Sequence, residues 1–218
     1  RIIQNRKVDG VVLHRTFVDD PQIEFLLERN VPFVAAGSSE NKRVKQIDHD
    51  PENACRELTS IILMKGLRKV AILGGNEHIY ANRKRISGVR YAYEQLGIEL
   101  EESNIYMNLE SRALIEKAVE DAVNSGADCL LCMDDSICSQ ALRKLRQEHV
   151  KVPGDIKVAS FYNSSVLENN IPSITSLSFD AKELGMTACK NLLGLIEGED
   201  VPTRTLLSYE VVLKESTK

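Results

Sequence analysis

Residues 128–142 read DCLLCMDDSICSQAL, an apolar run between two cysteines that ends in two adjacent acids and passes at once into a helical pattern over 136–148. An uninterrupted apolar segment this short, bounded by polar residues, is what a strand buried on both faces of a parallel sheet requires. The same alternation recurs along the chain. VDGVVL precedes a helical pattern over 20–29, VPFVAA precedes one over 51–65, and KVAIL precedes one over 83–96. NIYMNL is followed by 112–125, then come IKVASF, ITSLSF with 181–197, and a last strand LLSYEVVL. Strand and helix in strict alternation predict an α/β fold with mostly parallel sheets flanked by helices.

The helix ends carry their own chemistry. Asp20-Pro21 and Asp50-Pro51 each set a capping carboxylate before a proline at the first helical position, where a missing N–H costs nothing. Gly66, Gly97, Gly126 and Gly198 follow the last apolar residue of four helices, where a left-handed cap is wanted. Ala54, Cys55, Leu58, Ile61 and Ile62 recur at helical spacing and predict one buried stripe.

Charge and composition exclude several roles. With 28 basic and 32 acidic side chains, a net charge of -4 gives no footprint for holding a polyphosphate backbone, so these residues are not expected to bind nucleic acid by themselves. No apolar run approaches the roughly 18 residues a membrane span needs. The first ten residues, RIIQNRKVDG, lack the apolar core of a secretory signal and read as the tail of a helix. Five cysteines without regular spacing suit a reducing cytoplasm and are expected to be small buried hydrophobes.

Cys129 and Cys132 form a C-x-x-C, but residues three apart on a strand point to opposite faces, so the pair is not expected to share a metal or a disulfide. Gly74-Gly75 follows a strand without either phosphate-cradling glycine pattern and reads as a plain turn. His14, directly after VVL, is the one histidine of four placed where a cleft would open; no nucleophile elbow or zinc-binding pair accompanies any of them. Asp134 and Asp135 stand at the carboxyl end of a strand, where open parallel sheets bind ligands, although one acid could simply cap the next helix. Arg85, in the basic run NRKR, is either a ligand donor or part of a solvated helix end. No catalytic constellation, metal set or cofactor motif emerges, and the chain reads as a binder rather than an enzyme.

In order, VDGVVL, VPFVAAG, DPENACREL, KGLRKVAILGG, RKRISGVRYAYEQLGI, CMDDSICSQAL, VPGDIKVASF, IPSITSLSFDAKELGMTACKNLLGLIEGE and VVLKEST resemble the effector-binding core of the lactose-repressor (LacI/GalR) family of bacterial transcription regulators. The resemblance implies a two-lobed, periplasmic-binding-protein-like fold with a small molecule, often a sugar or nucleobase, in the cleft between lobes. It places one lobe at residues 1–66 plus 180–204 and the other at 67–179 plus 205–218. It implies a homodimer, for which Ile23, Leu26 and Leu27 would permit an apolar surface although they could equally be plain core, and DNA binding through an N-terminal domain outside this chain. It also implies that the first lobe here lacks its opening strands and leaves an unpaired sheet edge.

By the same resemblance Arg85 looks like the family's effector-binding arginine three residues before a glycine. Asp135 falls on the acid of an Asn-Asp pair, with Asp134 in place of the asparagine, and Asp50 matches the acid opening a first-lobe helix. Tyr162 and Asn163 follow VASF where the family shows glycine, an aromatic and aspartate, so the usual acid is replaced by a phenol; Phe179, closing ITSLSF, completes the set. The alternatives are a periplasmic solute-binding protein, opposed by the unpaired cysteines and the terminal LKEST, and an α/β enzyme, opposed by the missing catalytic groups.

Overall fold

A computed structural model describes residues 7–218, so the expectation for the first residues as a helix tail lies outside the described residues. The chain forms two compact units. The first takes the chain up to Asp50, His78–Ala81 and Asp180–Ser208; the second takes Pro51–Glu77, Asn82–Phe179 and Tyr209–Lys218.

The first unit contains β1 (Val11–His14), α1 (Pro21–Glu28), β2 (Phe33–Ala36) and β3 (Lys45–Asp48). Its sheet runs β1-β2-β3 and then Arg204–Leu206, with every neighbouring pair parallel. Alternation along β2 sorts its side chains between two cores. Phe33 and Ala35 join Ile23, Leu26 and Val44 on the side of α1, while Val34 and Ala36 join Ile47 and Ala188 on the other. Asp20 caps α1 as expected, its Oδ1 accepting from the Gln22 N–H at 2.9 Å.

Ile23 and Leu26 are only 3% and 2% exposed, so they are core residues and not the dimer surface the sequence offered. The α1 stripe is spent on β2 instead. Among the described residues β1 has one strand neighbour, β2.

The second unit follows with α2 (Pro51–Met64), β4 (Val70–Leu73), α3 (Tyr80–Gln95), β5 (Ile105–Tyr106), α4 (Arg112–Asn124) and β6 (Cys129–Cys132). After these come α5 (Asp135–Gln147), β7 (Lys157–Ser160), α6 (Ser165–Glu168) and β8 (Thr175–Phe179). The chain then enters α7 (Ala181–Glu197), β9 (Arg204–Leu206) and β10 (Tyr209–Val212). The second sheet has the order β10-β8-β7-β6-β4-β5, parallel throughout except for β10 against β8. Along β6, Leu130 and Cys132 face the α4–α5 core while Cys129 and Leu131 face the α2–α3 core. The C-x-x-C is therefore split between opposite faces, as strand geometry predicts.

The units divide at other places than the expected lobes. Residues 51–64 belong to the second unit because Ala54, Cys55, Leu58 and Ile62 pack with Val70, Ile72, Val89 and Ala92 in one core. Gly88 brings α3 against α2 so closely that a Cβ there would overlap the Glu52 carbonyl oxygen and lie 3.0 Å from the Arg56 nitrogen.

The last predicted strand is really two. Leu207 N–H bonds the Asp48 carbonyl at 2.8 Å and Leu207 packs against the first unit, whereas Tyr209 and Val211 pack into the second. Gly126 and Gly198 close α4 and α7 in the left-handed conformation, φ 78° and 80°. Asp50 also has a left-handed backbone, φ 49°, unlike the extended cap residue Asp20.

Candidate functional site

Because β4 to β8 run parallel, their carboxyl ends share one edge of the second unit, the place where open α/β sheets bind ligands. Each strand delivers a short rim segment there. After β4 come Gly74, Gly75 and Asn76. After β5 and β6 come Met107 and Met133, whose sulfurs flank Gly74; a Cβ on Gly74 would lie 2.7 Å from the Met133 sulfur and closer still to that of Met107. The glycine is the space these thioethers occupy.

Asp134 and Asp135 divide two tasks. Asp134 is the N-cap of α5, its Oδ1 accepting from the Ile137 N–H at 2.8 Å. Asp135 is the first residue of that helix, half-buried, with no hydrogen bond or ion pair to it among the described residues. The capping reading therefore holds for Asp134, and the Asp135 carboxylate is left without a side-chain partner among the described residues.

Beyond β7, the Ser160 hydroxyl donates to the Tyr162 carbonyl at 2.7 Å and accepts from the Tyr162 N–H at 3.2 Å, fixing the turn that presents the phenol. The Tyr162 ring stacks on Phe179 at the end of β8, with centroids 6.0 Å apart and planes 24° from parallel. The aromatic Phe161 is fully buried in the core and takes no part in the rim. Asn163 donates to Glu168 Oε1 at 2.9 Å, while its own Oδ1 is enclosed without a hydrogen bond.

Arg85 sits in the second turn of α3, because the helix begins three residues earlier than its sequence pattern predicts. Its Nη1 donates to Asn82 Oδ1 at 2.9 Å, and Asn82 Nδ2 donates to the Asn76 carbonyl at 2.9 Å. Asn82 was not among the candidate residues. The signal for it was its three-residue spacing before Arg85, which puts the two on one helix face.

The remaining candidates, His14 and Asp50, belong to the first unit. His14 is exposed at the end of β1, and the Asp50 carboxylate lies 4.0 Å from Arg204. The sequence reading missed the buried group beside them. Asp48 accepts from the Ser38 hydroxyl at 2.5 Å and from the His49 N–H at 2.9 Å, with Arg204 at 3.7 Å. Burial holds the His49 imidazole below its ordinary pKa, opposed by the negative charges of Asp48, Glu183 and Asp180.

The chemistry available on the second unit's edge is recognition: a forked cation, a free carboxylate, carboxamides and a stacked aromatic pair. Three buried thiols elsewhere are held protonated. Burial pushes Cys55 and Cys129 up, and a hydrogen bond with Cys138 together with burial does the same for Cys132. Among the described residues no group of three His, Cys, Asp or Glu side chains could hold a metal, and no helix is long and apolar enough to cross a membrane.

Comparison with known proteins agrees with the fold. The family described as periplasmic binding protein-like domain matches residues 61–217. The HTH-type transcriptional regulator CelR of Thermobifida fusca is 27% identical over 98% of this chain and 65% of its own length. Catabolite control protein A of Staphylococcus xylosus is 22% identical over 98% of this chain and 66% of its own. The chain thus spans about two thirds of the length of the curated relatives it matches. A solved CelR–cellobiose complex superimposes with a TM-score of 0.90 at 27% identity, covering 98% of this chain and 67% of that one.

Proposed function

We propose that this chain, which belongs to the periplasmic binding protein-like domain family and is a LacI-type effector-binding core, senses a small sugar-like metabolite for a transcription regulator. The observation that carries the reading is the Tyr162–Phe179 stack beside the free carboxylate of Asp135 on an edge that also holds Arg85. Pyranose rings present apolar C–H faces to aromatic rings and hydroxyls to charged and carboxamide groups. Nothing on that edge pairs a nucleophile with a base, so the reading is of binding without turnover.

In this reading Arg85, Asp135, Tyr162, Phe179 and Asn163 contact the effector, while Asp134 acts mainly as a helix cap. His14 and Asp50, on the first unit, are kept as candidate ligand contacts, His14 from its place at the end of β1 and Asp50 from the family resemblance. DNA binding belongs to a part of the protein outside these 218 residues, and the working state is a cytoplasmic homodimer. The exposure of Met186 and Leu193 on α7, 64% and 58%, supports an apolar contact surface on the first unit.

The test is calorimetric titration of the purified chain with cellobiose, glucose and glucose 6-phosphate, repeated with Arg85→Ala. A hydrogen bond from a charged donor is worth enough that its loss should weaken binding roughly tenfold to a hundredfold. Undiminished affinity in Arg85→Ala for whichever sugar binds would return Arg85 to a solvated helix face. Light scattering that shows only monomer at micromolar concentration would remove the dimer.

A further inference from the structure

We infer that Asn82 is a positioning residue for Arg85, holding the guanidinium at the carboxyl edge of β4 before any effector arrives. The inference rests on the reading of Arg85 as an effector donor and adds the group that acts through it.

Asn82 is 5% exposed, a carboxamide placed where polar groups are costly unless fully paired. Its two ends are used in opposite senses. The Nδ2 donates to the Asn76 carbonyl at 2.9 Å, and the Oδ1 accepts from Arg85 Nη1 at 2.9 Å. The carbonyl contact decides which end is which, because a carbonyl accepts only from the nitrogen; the oxygen is thereby turned toward the arginine.

The result is a relay from backbone to cation. The turn after β4 fixes a carboxamide, and the carboxamide fixes one nitrogen of the guanidinium. A guanidinium has five donor hydrogens in a rigid plane, so anchoring one nitrogen orients the rest. Arginine otherwise loses rotamer freedom on being immobilised. Supplying that order in advance favours binding.

The experiment has two arms. The first uses the ligand-free protein and reads the Arg85 side chain by nitrogen-15 NMR, with Arg85→Lys to identify its signals. In the unmodified protein rotation about the Cζ–Nη1 bond is expected to be slow, giving a resolved Nη resonance; in Asn82→Ala it should become fast and average out. An unchanged Arg85 spectrum in Asn82→Ala overturns the inference, whether or not any sugar binds.

The second arm is a double-mutant cycle titrated with cellobiose, or with glucose 6-phosphate if that is the probe the unmodified chain binds. Asn82→Ala should weaken binding about tenfold when Arg85 is present and have no effect in Arg85→Ala. An equal loss in both backgrounds would mean that Asn82 is merely structural. Asn82→Asp, which keeps an acceptor toward Arg85 but gives up donation to Asn76, should be intermediate. Should Arg85→Ala itself leave affinity unchanged, the reading of the site fails, while the NMR arm still decides whether Asn82 holds the arginine.

Discussion

The rings of Tyr162 and Phe179 lie 6.0 Å apart at 24°, so the ends of two neighbouring parallel strands, β7 and β8, present one aromatic surface. By the family resemblance the phenol replaces a carboxylate. A phenol accepts hydrogen bonds more weakly and stacks better, so the expected effector is poorer in vicinal hydroxyls than a free hexose or carries an anionic group for Arg85. Tyr162→Phe should bind whichever probe the unmodified chain binds within a few-fold, whereas Tyr162→Ala should lose about 0.5–1.5 kcal/mol. Tyr162→Asp should gain affinity for glucose. Tight glucose binding by the unmodified chain in calorimetry would contradict this account.

Two glycines should respond unequally to alanine. At Gly88 the new methyl meets α2 backbone, the Glu52 carbonyl and the Arg56 nitrogen, and neither can move without parting the helices. At Gly74 it meets the ends of two methionines, which can rotate away. Gly88→Ala is expected to cost about 1–3 kcal/mol, as overpacking does. Gly74→Ala should cost less, and urea midpoints in the reverse order would show that the helix contact yields more easily than the thioethers.

Thiol labelling should be selective. Cys189 is exposed on α7, while Cys55, Cys129, Cys132 and Cys138 are buried. The raised pKa values of Cys55, Cys129 and Cys132 suppress the reactive thiolate further. An aromatic disulfide reagent near neutral pH should modify the native chain at no cysteine other than Cys189, more slowly at concentrations where the dimer covers the Met186–Leu193 face of α7, and all five cysteines after denaturation. Rapid labelling of native Cys189→Ser would show that the core opens readily.

His49 predicts a loss of stability on the acid side. Its folded pKa is lowered from 6.5 by burial, so the unfolded chain takes up the proton first. Stability is therefore undiminished by this group above about pH 6.5 and falls as pH drops below it toward the folded value. His49→Gln should flatten the dependence of the urea midpoint on pH in that window. An identical slope in the variant would assign the acid loss to other groups.

Much of the fold could be read from the sequence because burial on both faces leaves a strong mark: VAIL, CLLC and FVAA are unbroken apolar runs, and each is a central or inner strand. The strand KQID went unseen for the opposite reason. Its Gln46 is buried but satisfied through the Ser39 N–H, and Asp48 through Ser38, so a strand with polar partners carries no apolar signature. The division of 204–212 between two sheets was invisible because both halves have strand character, and only long-range pairing separates them. At the candidate edge, the strand-end position pointed to Asp135, while Arg85 and Tyr162 were singled out through the family resemblance. Asn82 and the Asp48 group are recognisable only through their partners: Asn76 is six residues from Asn82, while Asp48 meets Ser38, ten residues away, and Arg204 from the far end of the chain.

Arg204–Leu206 and Tyr209–Val212 lie two residues apart and supply the last strand to two different sheets. On a ribosome, both sheets would wait for the same short stretch to emerge, with the flank of β3 and the flank of β8 open until it does. Open strand flanks are the surfaces on which nascent chains aggregate. The residues that follow fasten the second closure, as Ser216 donates to the Val158 carbonyl at 2.6 Å and accepts from the Thr175 N–H at 2.9 Å. A premature stop shortly before residue 204 would therefore leave two defective sheets, not one, and expose such a product to proteolysis in both units at once.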